Sequence, residues 1–389
     1  MIKNWICSLP WTDVGTNMDG KYLICPFGTP SPHYINEMTP HEFFETDYVE
    51  TVRRDMMNND FSEAIGQHCK VCINLEKNGW ISARRHVDDR PFDGFPQEIV
   101  PKEKLKKNLK AIMIYHLGNR CNLSCITCSP RLSTGFGSPL LDPWTEMKFD
   151  DKVLDDIKDI RFHGGEPLLS PHVKEQILKR PDTKFSLTTN GTVFPRWLKN
   201  HKRDKKAGLN IWISVDGVGP LDDYIRRGSQ WKKKIENMHL FFKHCYTDIL
   251  FTVNMVNYKG INDLKRFMKD EFGYDLTRCN RVTSPAYLDA INLPIWFKKK
   301  HTRPDQFQDL KNQHTFKIDQ PNEQKFREGV SYCKTMDAKY GINFLNHMPE
   351  FEELYNEVDV NEFDVEESII HEGFGTHSNE GGFEGWLYI

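Results

Sequence analysis

Ten cysteines stand at positions 7, 25, 69, 72, 121, 125, 128, 245, 279 and 333, and their grouping is the first chemical signal. Cys121, Cys125 and Cys128 form a C-x3-C-x2-C run within RCNLSCITCSP. Three soft thiolates on one short loop can hold zinc or an iron–sulfur cluster. Cys69 and Cys72 form a C-x2-C pair in HCKVC, while Cys7 and Cys25 flank an expected hairpin whose turn is Asp19-Gly20 and whose return strand is KYLIC. Four thiolates saturate a four-iron cube and three leave one iron open to a reactant. The trio therefore reads as a reactive cluster, and the quartet Cys7, Cys25, Cys69 and Cys72 as a closed iron–sulfur or zinc site. Cys245, Cys279 and Cys333 are isolated and read as small buried hydrophobes.

The elements that must position the trio alternate between β-rich runs and helical stretches, the pattern of parallel strands joined by crossover helices. Strands are expected at 111–117, 159–163, 183–188, 209–215 and 248–255, with a sixth near 281–288. Helices are expected at about 151–158, 171–180, 194–206, 230–244, 262–271 and 321–340. Polar or glycine-rich elements follow the strands in turn: the trio, then Gly164-Gly165-Glu166-Pro167, Thr189-Asn190-Gly191-Thr192, Asp216-Gly217 and Asn257. In α/β barrels the strand C-terminal ends build the active site. His163 and His116 close the first strands, where a barrel-filling histidine is the plainer reading; Tyr115, Trp212 and Phe251 read as barrel filling too.

With the CxxxCxxC loop, GGEP, TNGT and SVDG elements in this order, residues 111 to about 290 resemble a radical S-adenosylmethionine (radical SAM) enzyme. The N-terminal segment, with CSLPW, a hairpin ending in Cys25 and the HCKVC pair, resembles the auxiliary-cluster modules of the SPASM/twitch subgroup, here placed before the barrel. YIRRGSQW, NHMPEFEEL and INLPIW resemble the same subgroup. Thr127 stands where the family usually has an aromatic residue, and Cys25 is single where many twitch modules carry paired cysteines.

The resemblance implies an α/β fold, a partial (β/α)6 TIM-like radical SAM barrel with a small N-terminal cysteine-rich auxiliary-cluster module. The expected division is a module at 1–105, the barrel at 106–300, a helical extension at 301–348 and an acidic tail at 349–389. It implies that Cys121, Cys125 and Cys128 hold three irons of a catalytic [4Fe-4S] cluster, with S-adenosylmethionine on the fourth. Gly164, Gly165 and Glu166 would line the methionyl amine; Thr189 and Asn190 would meet ribose or carboxylate oxygens; Ser214 and Asp216 would take ribose hydroxyls. Arg226, or its neighbour Arg227, would pair with the methionyl carboxylate. Cys7, Cys25, Cys69 and Cys72 would ligate an auxiliary [4Fe-4S] cluster, with zinc as the alternative.

The implied reaction is reductive cleavage of S-adenosylmethionine to a 5′-deoxyadenosyl radical that abstracts a hydrogen atom from a substrate. A peptide or protein substrate leads, a carbohydrate or nucleotide-derived metabolite is the alternative, and a non-catalytic iron–sulfur binding or sensing protein is the third reading. A flavodoxin or ferredoxin would supply the electron.

Composition sets the outer limits. The 389 residues carry 52 Lys and Arg against 55 Asp and Glu, but the charge is uneven. Residues 340–389 contain twelve acids and no Lys or Arg, leaving residues 1–339 with a net of +9. Segments such as Lys102–Lys110 carry that charge without aromatic interleaving, so nucleic acid is not favoured as a partner. No run approaches the roughly 18 apolar residues of a membrane helix. The start, MIKNWICSLPW, has neither a long apolar core nor a small-residue cleavage site, so a cytoplasmic protein with reduced thiols is expected. P-loop, HExxH, GxSxG and GxGxxG patterns are absent. The tail ends in the largely apolar run Phe383–Ile389, for which docking on the basic body is expected.

Overall fold

The computed structural model describes residues 6–17, 19–25, 28–58, 63–70, 72–73, 105–115, 118–142, 151–200, 208–276, 279–282, 285–301 and 322–358. The acidic tail beyond residue 358, with its apolar end, and His116 lie outside them.

Among the described residues eight strands run β1 Asp13–Thr16, β2 Tyr22–Leu23, β3 Ala111–Tyr115, β4 Asp159–His163, β5 Lys184–Thr189, β6 Leu209–Ser214, β7 Tyr246–Val253 and β8 Cys279–Arg281. They make one sheet in the order β2-β1-β3-β4-β5-β6-β7-β8. The six strands from β3 to β8 are mutually parallel and form the partial (β/α)6 TIM-like barrel. Their composition explains it: Ile211, Trp212 and Ile213 of β6 are all buried, as a strand covered on both faces requires. Helices Pro171–Lys179, Trp231–His244 and Ile261–Phe272 supply crossovers.

Three expected elements come out differently. The helix expected over 151–158 is a single 3-10 turn, Asp151–Leu154, because the amides of Lys158 and Asp159 both bond the Lys110 carbonyl at 2.9 and 3.1 Å and draw the chain into the sheet. The one expected over 194–206 is described only as the 3-10 turn Arg196–Asn200, residues 201–207 lying outside the described set. The sixth strand starts earlier, at Cys279, and a 3-10 turn over Ala286–Leu288 follows Pro285. Proline has no N–H for a ladder.

The N-terminal hairpin belongs to the same sheet. β1 pairs antiparallel with β2 and parallel with β3, Asp13 opposite Ala111 and Thr16 opposite Ile114. Asn17 closes the turn, its Oδ1 accepting the amides of Asp19 at 3.1 Å and Lys21 at 2.9 Å. Gly20 takes a φ of 78° that an L side chain rarely adopts. One apolar core runs from Ile6 through the barrel to Val358.

The helix Glu323–Tyr340 covers the barrel with Phe326, Val330, Tyr332, Cys333 and Met336 buried. Asn322 caps its start through Lys325 N–H, and Gly341 ends it in the left-handed region. No described helix is long and apolar enough to cross a membrane.

Candidate active site

The cysteine loop follows β3 and is anchored by buried Leu123 and Ile126, while Cys121, Cys125 and Cys128 stay half-buried. Thr134 Oγ1 accepts the Cys121 amide at 3.1 Å and donates to the Cys121 carbonyl at 2.8 Å. Across the barrel mouth, the amides of Ser124 and Ile126 bond the carbonyls of Arg227 and Ile225, both at 2.9 Å. The loop is therefore pinned to the segment that carries both arginines.

After β4 the chain turns through Gly164 and Gly165, with φ of 84° and 53°. A Cβ on Gly165 would lie 2.6 Å from the Arg120 carbonyl oxygen. Only glycine lets this turn approach the residue before Cys121 so closely, and the Glu166 amide then bonds that same carbonyl at 2.7 Å. Glu166 is 2% exposed. Its Oε1 accepts Thr189 Oγ1 at 2.7 Å and the Leu168 amide at 3.1 Å, and its Oε2 accepts the Asn190 amide at 2.7 Å. Burial still raises its pKa above the usual carboxylate range, against these three donors.

Asn190, after β5, completes the join. Its Nδ2 donates to Asn122 Oδ1 at 2.9 Å and lies 3.8 Å from Cys121 Sγ. Its Oδ1 accepts from the amide and hydroxyl of Thr192, and Asn122 Nδ2 donates to that hydroxyl at 2.9 Å. The turns after β3, β4 and β5 thus meet at Cys121.

The two adjacent arginines diverge. Arg226 pairs with Asp216 at 2.8 Å, and its charge partly offsets the rise that burial imposes on the Cys125 and Cys128 thiols. Arg227 instead lies 3.2 Å over the Tyr340 ring and donates to Ser124 Oγ at 3.0 Å. Asp216 is 1% exposed; its Oδ1 accepts the Thr252 amide at 3.0 Å and its carbonyl accepts Asn257 Nδ2 at 3.0 Å. Beneath it the fully buried pair Lys234–Asp222 closes at 2.6 Å, and Asp222 also accepts the Asp216 amide. Ser214 ends β6, half-buried. His163 sits in the barrel, its Nδ1 2.9 Å from Thr188 Oγ1.

The donor set suits a soft metal cluster. Burial raises the pKa of all three thiols, Cys125 to about 12. The thiolates also raise one another's pKa at Cys125 and Cys128. Iron is the positive charge that would make thiolates stable in such a dry place. Among the described residues no three His, Cys, Asp or Glu side chains converge at metal-binding distance; the fit lies in donor chemistry and in the shared neighbourhood of the thiols.

The N-terminal thiols gather elsewhere. Cys7 is buried, its pKa raised by burial and then by the charges of Cys25, Cys72 and Cys69. Cys25, Cys72 and Cys69 thus each act on Cys7, although they come from the hairpin end and the segment after helix Glu63–His68. Cys245, Cys279 and Cys333 answer mainly to burial.

Sequence spacing missed Asn122, Thr134, the Lys234–Asp222 pair and Tyr332, whose hydroxyl donates to the Ile126 carbonyl at 2.8 Å. Only Asn122 had a signal, its place beside Cys121.

The family model described as the Radical SAM superfamily matches residues 115–269. Over 170 residues the chain is 32% identical to a GTP 3',8-cyclase of Petrotoga mobilis, covering 41% of this chain and 51% of that protein. Over 187 residues it is 25% identical to an Fe-coproporphyrin III synthase of Methanosarcina barkeri, covering 43% of each. Among solved structures it is similar to Streptococcus suis SuiB bound to precursor peptide SuiA, at 13% identity and a TM-score of 0.35, covering 62% of this chain and 51% of that one. The chain spans about half the length of the first two relatives.

Proposed function

We propose that Cys121, Cys125 and Cys128, within residues 115–269 that match the Radical SAM superfamily model, hold a [4Fe-4S] cluster for hydrogen-atom abstraction from a small, nucleotide-derived metabolite. When bound, the cluster and S-adenosylmethionine supply an electron and a 5′-deoxyadenosyl radical. The observation that carries the reading is the convergence at Cys121: Asn190 reaches its sulfur, and Asn190 and Thr189 both hold Glu166. Gly164 and Gly165 let the backbone approach the methionyl group, with Glu166 holding the turn. Arg226 offers its guanidinium from beside Cys125, tethered by Asp216. Thr189, Asn190 and Ser214 offer polar groups at the strand ends, where ribose and carboxylate oxygens would lie.

Cys7, Cys25, Cys69 and Cys72 are read as the ligands of an auxiliary [4Fe-4S] cluster, and a flavodoxin or ferredoxin as the electron donor. The nucleotide class takes precedence over the peptide expectation because a matched relative is named GTP 3',8-cyclase and because residues 1–339 are net positive, as suits an anionic substrate.

Anaerobically reconstituted protein with dithionite and S-adenosylmethionine is expected to form 5′-deoxyadenosine, and the Cys125→Ala variant is not. With ring- and ribose-deuterated nucleoside triphosphates, deuterium is expected to enter the 5′-deoxyadenosine. Iron-replete wild type that forms no nucleoside would overturn the enzyme reading. Deuterium transfer from labelled peptides but not from nucleotides would overturn the substrate class alone.

A further inference from the structure

We propose that His68 belongs to the second thiol site, where its Nδ1–H donates a hydrogen bond to the Cys25 sulfur once that sulfur is bound to metal. This rests on reading Cys7, Cys25, Cys69 and Cys72 as auxiliary-cluster ligands. His68 is 5% exposed, and its Nδ1 is buried without a hydrogen-bond partner among the described residues. A buried polar atom gives up its hydration, so one with no partner among the described residues calls for one from a bound group.

The surroundings indicate which partner. A Cβ built on Gly28 would lie 3.3 Å from His68 Nδ1 and 3.5 Å from Cys25 Sγ. The nitrogen and the sulfur therefore border the same small gap above Gly28. Gly28 does not have the positive φ that would require glycine, so what the glycine contributes is the missing side chain. The ring is steadied by Tyr48, edge-on at 5.3 Å, and by its place at the end of helix Glu63–His68, one residue before Cys69.

Four thiolates already saturate a four-iron cube, which leaves His68 outside the ligand set as a positioning residue. An N–H directed at a cluster sulfur favours the reduced, more negative state, and hydrogen bonds to sulfur are one of the protein's controls over reduction potential.

The test uses the full chain carrying Cys121→Ala, Cys125→Ala and Cys128→Ala, so that iron reports only the second site. Iron and sulfide are counted first. About four of each are expected, and their absence would sink the auxiliary-cluster reading on which this proposal rests. With the cluster present, His68→Ala is expected to keep the iron and shift the midpoint potential to a more negative value. His68→Gln, which retains an N–H donor, should recover part of the shift. Gly28→Ala, which places a methyl in the gap, should shift the potential in the same direction as His68→Ala. An unchanged potential in His68→Ala would overturn the proposal.

Should His68→Ala lose the cluster, pulsed EPR of the reduced protein with ¹⁵N-histidine decides. A weak nitrogen coupling is expected. No histidine coupling, or one of the strength that direct iron ligation gives, would overturn the hydrogen-bond assignment.

Discussion

Glu166 shows how little of a residue's role its type conveys. A carboxylate in GGEP suits an ammonium ligand, yet in the fold it receives Thr189, Leu168 and Asn190 and ties two turns together. Glu166→Gln turns one acceptor into a donor facing an N–H, which should cost about 1–3 kcal/mol, read as a lower melting temperature of cluster-free protein. The raised pKa adds a pH dependence. Above the ordinary value of 4.5 the folded state holds this proton more tightly than the unfolded one, so the Glu166 contribution falls as pH rises through the window up to the folded pKa. That slope is expected to be missing from Glu166→Gln when the two melting curves are compared across pH. Asn190→Ala removes the amide beside Cys121, and by analogy with other outer-shell partners of metal ligands should lower 5′-deoxyadenosine formation about 10–100-fold. An unchanged rate would show that the amide does not support the cluster loop.

At the scale of elements, the helix Glu323–Tyr340 is the strap on the cysteine loop. Tyr332 bonds the Ile126 carbonyl, and Arg227 stacks on Tyr340. Gly329 lets the helix sit close, since a Cβ there would lie 2.2 Å from the Tyr287 carbonyl oxygen. Replacing glycine by alanine inside a helix ordinarily favours it by about 1 kcal/mol. Here the clash is with backbone, and overpacking of that kind costs about 1–3 kcal/mol. Gly329→Ala is therefore expected to lower the melting temperature despite better helix propensity; a rise would mean the helix can shift freely. Tyr332→Phe leaves the Ile126 carbonyl unpaired and should speed proteolysis within residues 121–134.

At the scale of the molecule, β1 is the neighbour of β3, so the N-terminal segment closes one side of the barrel sheet. Arg131, just past Cys128, pairs with Asp19 of the hairpin turn at 2.5 Å, and the apolar core crosses from one part to the other. A chain beginning at residue 105 would expose the β3 edge and the side chains packed against Val14 and Trp11. It is expected to aggregate where the full chain remains in solution, because an unpaired, apolar edge strand recruits other strands. A soluble, folded barrel from residue 105 would show that the hairpin is dispensable. Fully reconstituted chain should hold about eight irons, and the triple Cys121, Cys125 and Cys128 to Ala variant about half. Retention of all iron would misplace the reactive cluster.

What the sequence determined by itself is local in origin: the thiol spacings, the glycines of the GGE turn, the strand runs of the barrel and the order of polar turns after them. Each is set by covalent distance, by φ, or by burial on both faces of a strand. Only the tertiary structure decided which of Arg226 and Arg227 pairs with Asp216 and which stacks on Tyr340, since adjacent residues have the same chemistry and the choice depends on Asp216 and Tyr340, far apart in the chain. The same holds for Glu166 facing inward, for Tyr332 reaching Ile126 across more than two hundred residues, and for β1 lying beside β3. Long-range pairings such as these leave no periodicity in the sequence, because they are fixed by the packing of the whole core rather than by any one segment.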